Sequence, residues 1–281
     1  MILNIKVSTY NVENLFDKFD DPVKDDGPPK SEESKKALAE ILKSLNSDIV
    51  ALQEVENINI VKEVLVLAGL KDRYNVIVGK SDGRGIACAL LVDKRFPIKS
   101  YTINVKENVF YRPPVEAIVE IMPGFDMKFV SVHFKAKMNP ESQEQRKKEA
   151  RRTIELVNKS KIPTVILGDY NDLPFSEVSQ IFEKNGFIDV RNVDKLSKDI
   201  DVPTHYYQPM SGGGIYANHG PSIVDYIRIS DSVKNFVIQG TYDVVDKKEK
   251  PEVVLASDHR PISIVLGGFL KPFAEFKNRK E

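Results

Sequence analysis

The apolar positions of this chain recur at two intervals. Ala37, Leu38, Ile41, Leu42 and Leu45 stand three and four residues apart, which gives an α-helix one buried stripe. Ser31 lies just ahead of them as an N-cap, since a serine oxygen can accept from the free N–H groups of a first helical turn. A second helix is predicted over 58–68 and a strongly charged one over about 141–159. Ser176 opens another, which Asn185-Gly186 ends. The remaining apolar runs are shorter and read as strands. They lie at 2–10, 48–54, 74–79, 86–93, 115–121, 127–133, 163–168, 223–229, 235–243 and 261–266, most of them divided by Gly, Pro or charged turns.

No linker interrupts this series and no repeat period appears. Many strands with a few helices imply one α/β domain, with sheet packed on sheet and helices outside, over 1–269, and a peripheral tail over 270–281. Ser211-Gly212-Gly213-Gly214 reads as a flexible loop. It lacks the following lysine and helix of a phosphate-binding P-loop.

Composition narrows the function classes. Hydrophobic residues make up 41% of 281, enough for a sizeable core, and Lys+Arg equals Asp+Glu at 41 each, so the formal net charge is zero. A sequence-blind DNA binder usually carries a basic excess, because phosphate neutralisation supplies most of its affinity. Here only a local basic face remains open. The single cysteine, Cys88, sits in the apolar run 85–92 and reads as a buried structural thiol with no intramolecular partner. The N-terminus alternates like a strand and lacks the layout of a secretory signal, and no apolar run is long enough to span a bilayer. The expectation is a cytoplasmic protein without membrane insertion or an obligate protein partner.

Polar residues at strand ends are the candidates for chemistry, because buried strands hold them rigidly and their ends face loops. They are Asn11 and Glu13 after the first strand, Glu54 after the second, His133 ending 127–133, Asp169 and Asn171 after 163–168, Asp225 within an apolar run, and Asp258 and His259 before the last strand. Singly, most have a bland reading: a turn aspartate, an Asx turn at Asn11, a structural histidine. Asp225 does not, since a carboxylate inside a core strand is costly unless a cation or strong donor meets it. As a set, these are oxygen ligands with two histidines and no sulfur, which suits Mg2+ or Mn2+. HExxH and CxxC spacings for zinc are missing, as is the GxSxG elbow of a serine hydrolase.

The motifs Tyr-Asn-Val-Glu-Asn at 10–14, Leu-Gln-Glu-Val at 52–55, Arg112, Val-His-Phe at 132–134, Gly-Asp-Tyr-Asn at 168–171, Val-Asp-Tyr-Ile at 224–227 and Ser-Asp-His-Arg-Pro at 257–261 come in a particular order. In that order the chain resembles the endonuclease/exonuclease/phosphatase superfamily, from about residue 5 to residue 266. The resemblance implies a deoxyribonuclease I-like four-layer α/β sandwich, with two mostly antiparallel sheets face to face and helices outside. It implies that Glu54 binds the catalytic Mg2+ or Mn2+, that Asn11 and Asp258 join through water, and that Glu13 assists. It makes Asp169 the general base and Asn171 a donor to phosphate. His259 becomes the phosphate-side imidazole, His133 a second donor or an acid for the leaving oxygen, and Asp225 the support of a histidine. Arg112 becomes a phosphate clamp.

Repair nucleases of the exonuclease III type generally carry asparagine where this chain has His133, and commonly use a tryptophan, of which it has none. The reading is then a phosphodiesterase acting on nucleic acid, DNA or RNA, most simply an endonuclease. A phosphatase or phosphodiesterase for a small-molecule or lipid-like phosphate ester is the alternative within enzymes. A catalytically dead binding module on the same scaffold is the alternative of another class, disfavoured because the expected polar positions are present.

Overall fold

The computed structural model describes residues 2–105, 108–136, 139–206, 220–245 and 250–270. The Gly-rich stretch 211–214 and the tail beyond Leu270 lie outside the described residues. The first half of the chain contains β1 (Ile2–Leu15), α1 (Glu32–Leu45), β2 (Ile49–Val55), α2 (Ile58–Leu67), β3 (Tyr74–Val78), β4 (Ala87–Asp93), β5 (Ile98–Ile103), β6 (Val115–Met122) and β7 (Phe125–His133). The second contains α3 (Pro140–Val157), β8 (Thr164–Asp169), α4 (Glu177–Lys184), β9 (Phe187–Asp189), α5 (Val190–Val193), β10 (Asp225–Ser230), β11 (Asp243–Val244), α6 (Pro251–Ala256) and β12 (Ile262–Leu270).

Two six-stranded sheets result, ordered β11-β12-β1-β2-β4-β3 and β5-β6-β7-β8-β10-β9. Every ladder is antiparallel except β1–β2 and β7–β8. Parallel neighbours need a crossover rather than a hairpin, and α1 and α3 supply the two crossovers. Each sheet thus has one parallel pair near its centre, and both pairs send their C-terminal ends to the same edge of the molecule.

The strands alternate between two apolar environments. Val7, Ile49, Ala51 and Leu90 meet Val115, Ala117, Phe129, Leu167 and Ile227 between the sheets. The intervening residues face outward. Tyr10, Val50 and Leu52 pack under Leu38 and Ile41 of α1 and Val64 of α2, and Val132, Ile166 and Tyr226 pack under Ile154 of α3 and Phe182 of α4. The layers are helix, sheet, sheet, helix, the expected sandwich. Burial on both faces explains why the central strands read as unbroken apolar runs rather than alternating ones.

Four expectations change. β1 does not stop at residue 10 but continues to Leu15, through an irregularity between Asn11 and Leu15 where Glu13 and Asn14 take positive φ. The strand expected at 235–243 is a 3-10 turn (Asp231–Phe236) followed by one bridge from Val237 to Leu266 and a bend at Gly240, φ 78°. The cause is Asp194, whose carboxylate accepts from the N–H groups of Gly240, Thr241 and Tyr242 at 2.5, 2.9 and 2.8 Å, so those donors never reach a ladder. Asp225 opens β10 instead of lying inside it. The polar edge strand β5 and the short α6 were not foreseen.

Candidate active site

The site lies where the inter-sheet core ends. Below it is a polar layer: Thr9 donates to Gln53 at 3.1 Å, and Gln53 donates across the sheets to Ser131 at 3.3 Å. One step further along the same strand faces stand Asn11, His133, Asp169 and Asp225. The register of the second sheet sets three of them in a row, since Asp169 pairs with His133 of β7 on one side and Asp225 of β10 on the other. Leu167 and Ile227, two residues before Asp169 and after Asp225, point into the inter-sheet core, so these carboxylates point the same way.

Four of the six non-glycine residues with positive φ among the described residues line this end: Glu13, Asn14, Glu54 and Asn171. Such conformations cost about 1–3 kcal/mol each and persist where surrounding contacts enforce them. At Glu54, φ 64° breaks the strand alternation, and the carboxylate turns into the site. There it accepts from Asn11 Nδ2 at 3.3 Å and from the Asn14 N–H at 3.0 Å.

Asp169 is the hub. Its Oδ1 accepts from the Asn171 N–H at 2.7 Å, and its Oδ2 from the side-chain amides of Asn11 at 3.1 Å and Asn171 at 3.2 Å. His133 Nε2 lies 3.4 Å from the same Oδ2 and His259 Nε2 lies 3.8 Å from it. Burial lifts this carboxyl to about 6 and the charge of Asp225 adds to the shift, while His259 and the two amides oppose it. His259 Nδ1 bonds Asp225 Oδ2 at 2.9 Å. Burial works against charge on His259, but Asp225, Asp169 and Asp258 overcome it and hold the imidazole well above its ordinary range. Asp225 therefore supports His259, not His133.

His133 is the opposite case. It is 3% exposed, and burial, with Arg112 and His259 nearby, pushes it well below the ordinary range. Burial thus favours the neutral ring, whose Nε2 lies toward Asp169. Its Nδ1 and Asp225 Oδ1 are buried without a hydrogen-bond partner among the described residues. Asn171 also departs from expectation: its amide nitrogen is engaged by Phe134 O at 3.1 Å as well as by Asp169, so it orients the hub.

Arg112 requires the largest correction. It is 4% exposed and sits behind the site. Its Nε donates to His133 O at 3.2 Å, its second nitrogen to Asp82 at 3.2 Å and its third to Phe134 O at 2.6 Å. These bonds tie down the end of β7 and engage all three guanidinium nitrogens with protein acceptors. Arg112→Ala is accordingly expected to cost about 3 kcal/mol of stability, because buried carbonyls and Asp82 lose a charged donor. Urea denaturation checks this; a phosphate clamp would instead raise KM at unchanged stability.

On the other side, Glu13 accepts from the Asp258 N–H at 3.0 Å, and Ser257 joins the two segments by donating to Asn11 O at 2.7 Å. Burial raises the Glu13 carboxyl, the charge of Asp258 adds to this, and Lys30 opposes it. The Asp258 carboxylate lies 3.4 Å from His205 Nε2 and 3.9 Å from His259 Nε2; burial pushes its pKa up, but the two imidazoles hold it below the usual range. Lys30 donates to Glu13 O at 2.6 Å within reach of the Glu13, Glu54 and Asp258 charges, and burial lowers its pKa. Three carboxylates around one ammonium leave negative charge in excess, and their oxygens with Asn11 are what a hard dication needs. Lys30 and His205 were missed in the sequence. His205 could have been found as one of only four histidines in the chain; nothing distinguishes Lys30 before the fold is known.

Comparison with known proteins identifies the fold and the family. No curated protein matches the chain. Among solved structures, an endonuclease/exonuclease/phosphatase family protein from Leptotrichia buccalis superposes with a TM-score of 0.65 at 19% identity, covering 92% of this chain and 98% of that one. Truncated TDP2 from Caenorhabditis elegans gives 0.61 at 17%, covering 94% and 97%. A mannosyl-6-phosphatase from Bacteroides thetaiotaomicron gives 0.63 at 16%, covering 94% and 100%. These likenesses concern the fold. The sequence signature of the Endonuclease/Exonuclease/phosphatase family matches residues 8–259, nearly the whole length of the sandwich, and the chain belongs to that family of metal-dependent phosphoesterases.

Proposed function

We propose that the chain is a Mg2+- or Mn2+-dependent phosphodiesterase that cleaves nucleic acid. The observation that carries this reading is the pairing of a buried carboxylate, Asp169, with an imidazole, His259, that Asp225 keeps charged. Asp169 would take the proton of an attacking water, and its bonds from Asn11 and Asn171 keep it aimed. His259 would meet the phosphate with a charged Nε2–H and stabilise the charge that develops there. His133 would stay neutral and position Asp169. Glu54 with Asn11, Glu13 and Asp258 would hold the metal, which when bound neutralises phosphate oxygens. The surplus of carboxylates around Lys30 fits such a group.

The rim beside His133 and Asn171 favours a nucleotide polymer. Lys135 Nζ lies 4.2 Å over the exposed Tyr111 ring, and Leu173 and Phe175 also stand in solvent. The rim is rigidly built. The buried Glu149 carboxylate accepts from the N–H groups of Tyr111 and Lys135, and Arg146 joins Lys135 O to Asp172. Exposed aromatic faces next to a cation suit stacked bases along a phosphate backbone. The neutral net charge favours the second reading, a small or lipid-like phosphate ester.

The test uses the full chain with Mg2+ or Mn2+ on single- and double-stranded DNA, RNA and a panel of phosphomonoesters. Shortened oligonucleotides are expected. Hydrolysis of a small ester with both nucleic acids intact sinks the nuclease reading and leaves the phosphoesterase.

A further inference from the structure

The segment Pro203–Tyr206 is joined to both sides of the site by its backbone. Thr204 and His205 N–H both donate to Ser222 O at 3.0 Å, His205 O accepts from Ser222 N–H at 3.0 Å, Tyr206 N–H donates to Asp258 O at 2.9 Å, and Arg260 N–H donates to Thr204 O at 2.7 Å. The Thr204 hydroxyl accepts from the N–H groups of Val224 and Asp225 at 3.1 Å each. His205 is thereby held against His259 as a β-bridge partner, with ring centroids 4.6 Å apart. One ligand atom from each of His205, Asp258 and His259 lies within 4.8 Å of the other two.

The spacings within this trio are informative. His205 Nε2 to Asp258 Oδ2 is 3.4 Å, the long end of a hydrogen bond, and His259 Nε2 to Asp258 Oδ1 is 3.9 Å, beyond one. Ligands about 2.0–2.2 Å from a tetrahedral ion stand roughly 3.3–3.6 Å from one another, a spacing the His205–Asp258 pair already meets and the His259–Asp258 pair reaches by a small side-chain rotation. Two imidazole nitrogens and a carboxylate with an open fourth position suit zinc, whereas Mg2+ prefers oxygen. Asp225 on His259 Nδ1 is the carboxylate behind a ligating histidine that such sites use to orient the ring. The His205 and Asp258 side chains are 22% and 25% exposed, which provides an entry path.

We propose that His205, Asp258 and His259 form a site for a single Zn2+, which shares Asp258 with the Glu54 side but takes its other ligands from the two imidazoles, and that its occupancy withdraws His259 Nε2 from the phosphate and inhibits the enzyme. The binding claim stands without the function proposed above; only the inhibition rests on it. Cys88 does not compete as a ligand, being fully buried in the core.

The experiment is calorimetric titration of ZnCl2 into the metal-free full chain, repeated with Co2+ for the visible spectrum of a four-coordinate site. His205→Ala, His205→Gln and Glu54→Gln are compared, with circular dichroism confirming the fold; the Gln variant keeps the volume of the side chain if alanine unfolds it. One Zn2+ per chain is expected, weakened about tenfold or more by either His205 change and unaffected by Glu54→Gln. Equal affinity in wild type and the folded His205 variants, or loss on Glu54→Gln instead, overturns the site. Hydrolysis in Mg2+ that Zn2+ suppresses in wild type and spares in His205→Gln supports inhibition; equal suppression in both overturns it. Zinc binding by a chain that hydrolyses no phosphate ester leaves this site intact and refutes only the function.

Discussion

Asp169→Asn is expected to lower kcat by about 10²–10⁴-fold while the protein stays folded. The amide preserves the shape and can keep several of the contacts made to the hub, but it cannot accept a proton from water. Circular dichroism and urea denaturation check that the fold survives, and steady-state hydrolysis measures the loss. The same carboxyl gives the wild type an acid limb. Burial raises its pKa to about 6, so as the pH falls through that value the carboxylate takes up a proton and kcat/KM declines. A bound dication opposes that protonation, so raising Mg2+ moves the limb to lower pH. A limb that Mg2+ does not move, or an Asp169→Asn variant with wild-type turnover, would remove Asp169 from the role of base.

Gly168→Ala is expected to destabilise the fold by about 4–5 kcal/mol or more, among the largest effects of any single methyl group. Gly168 has φ 150°, which side-chain-bearing residues rarely adopt, and an added Cβ would fall 1.9 Å from the Val132 carbonyl oxygen. That oxygen is backbone, so no side chain can swing aside. The two strands must part exactly where β7 and β8 present His133 and Asp169 in register. The melting temperature and the urea midpoint read the cost directly, and residual activity of the folded fraction reads the misplacement of the hub. Near-wild-type stability would mean that the close approach of these backbones is not required.

Much of this was legible in the sequence, for reasons that differ by residue. The runs 48–54 and 163–168 were easy because burial on both faces leaves no polar position within their middles, Ile49–Leu52 and Val165–Leu167. Ser31 and Ser176 do cap α1 and α4, since local hydrogen bonds depend on local sequence. β5 was invisible because a mostly exposed edge strand carries polar residues. The false strand at 235–243 failed through Asp194, more than forty residues away, which captures the N–H groups a ladder would have used. At the site, the set of polar residues was readable but their burial was not. Arg112 and His133 read as phosphate-facing groups, and only the packing turns one into a brace and the other into a neutral imidazole. Lys30 and His205 reach the centre through folded loops that no motif announces.

The two parallel strand pairs described above also govern when the centre comes into being. Each pair can form only after a helix-length crossover has folded back, and the bonds that join Asn11 to Asp169 and to Ser257 span 158 and 246 residues. Helices α1 and α3 can form from their own neighbourhoods, but the entropy of closing such long loops is spent before any long-range pairing returns it. The candidate centre has no local precursor: its residues meet only where both sheets are already paired, and a chain without that pairing holds every residue of the site and none of its geometry.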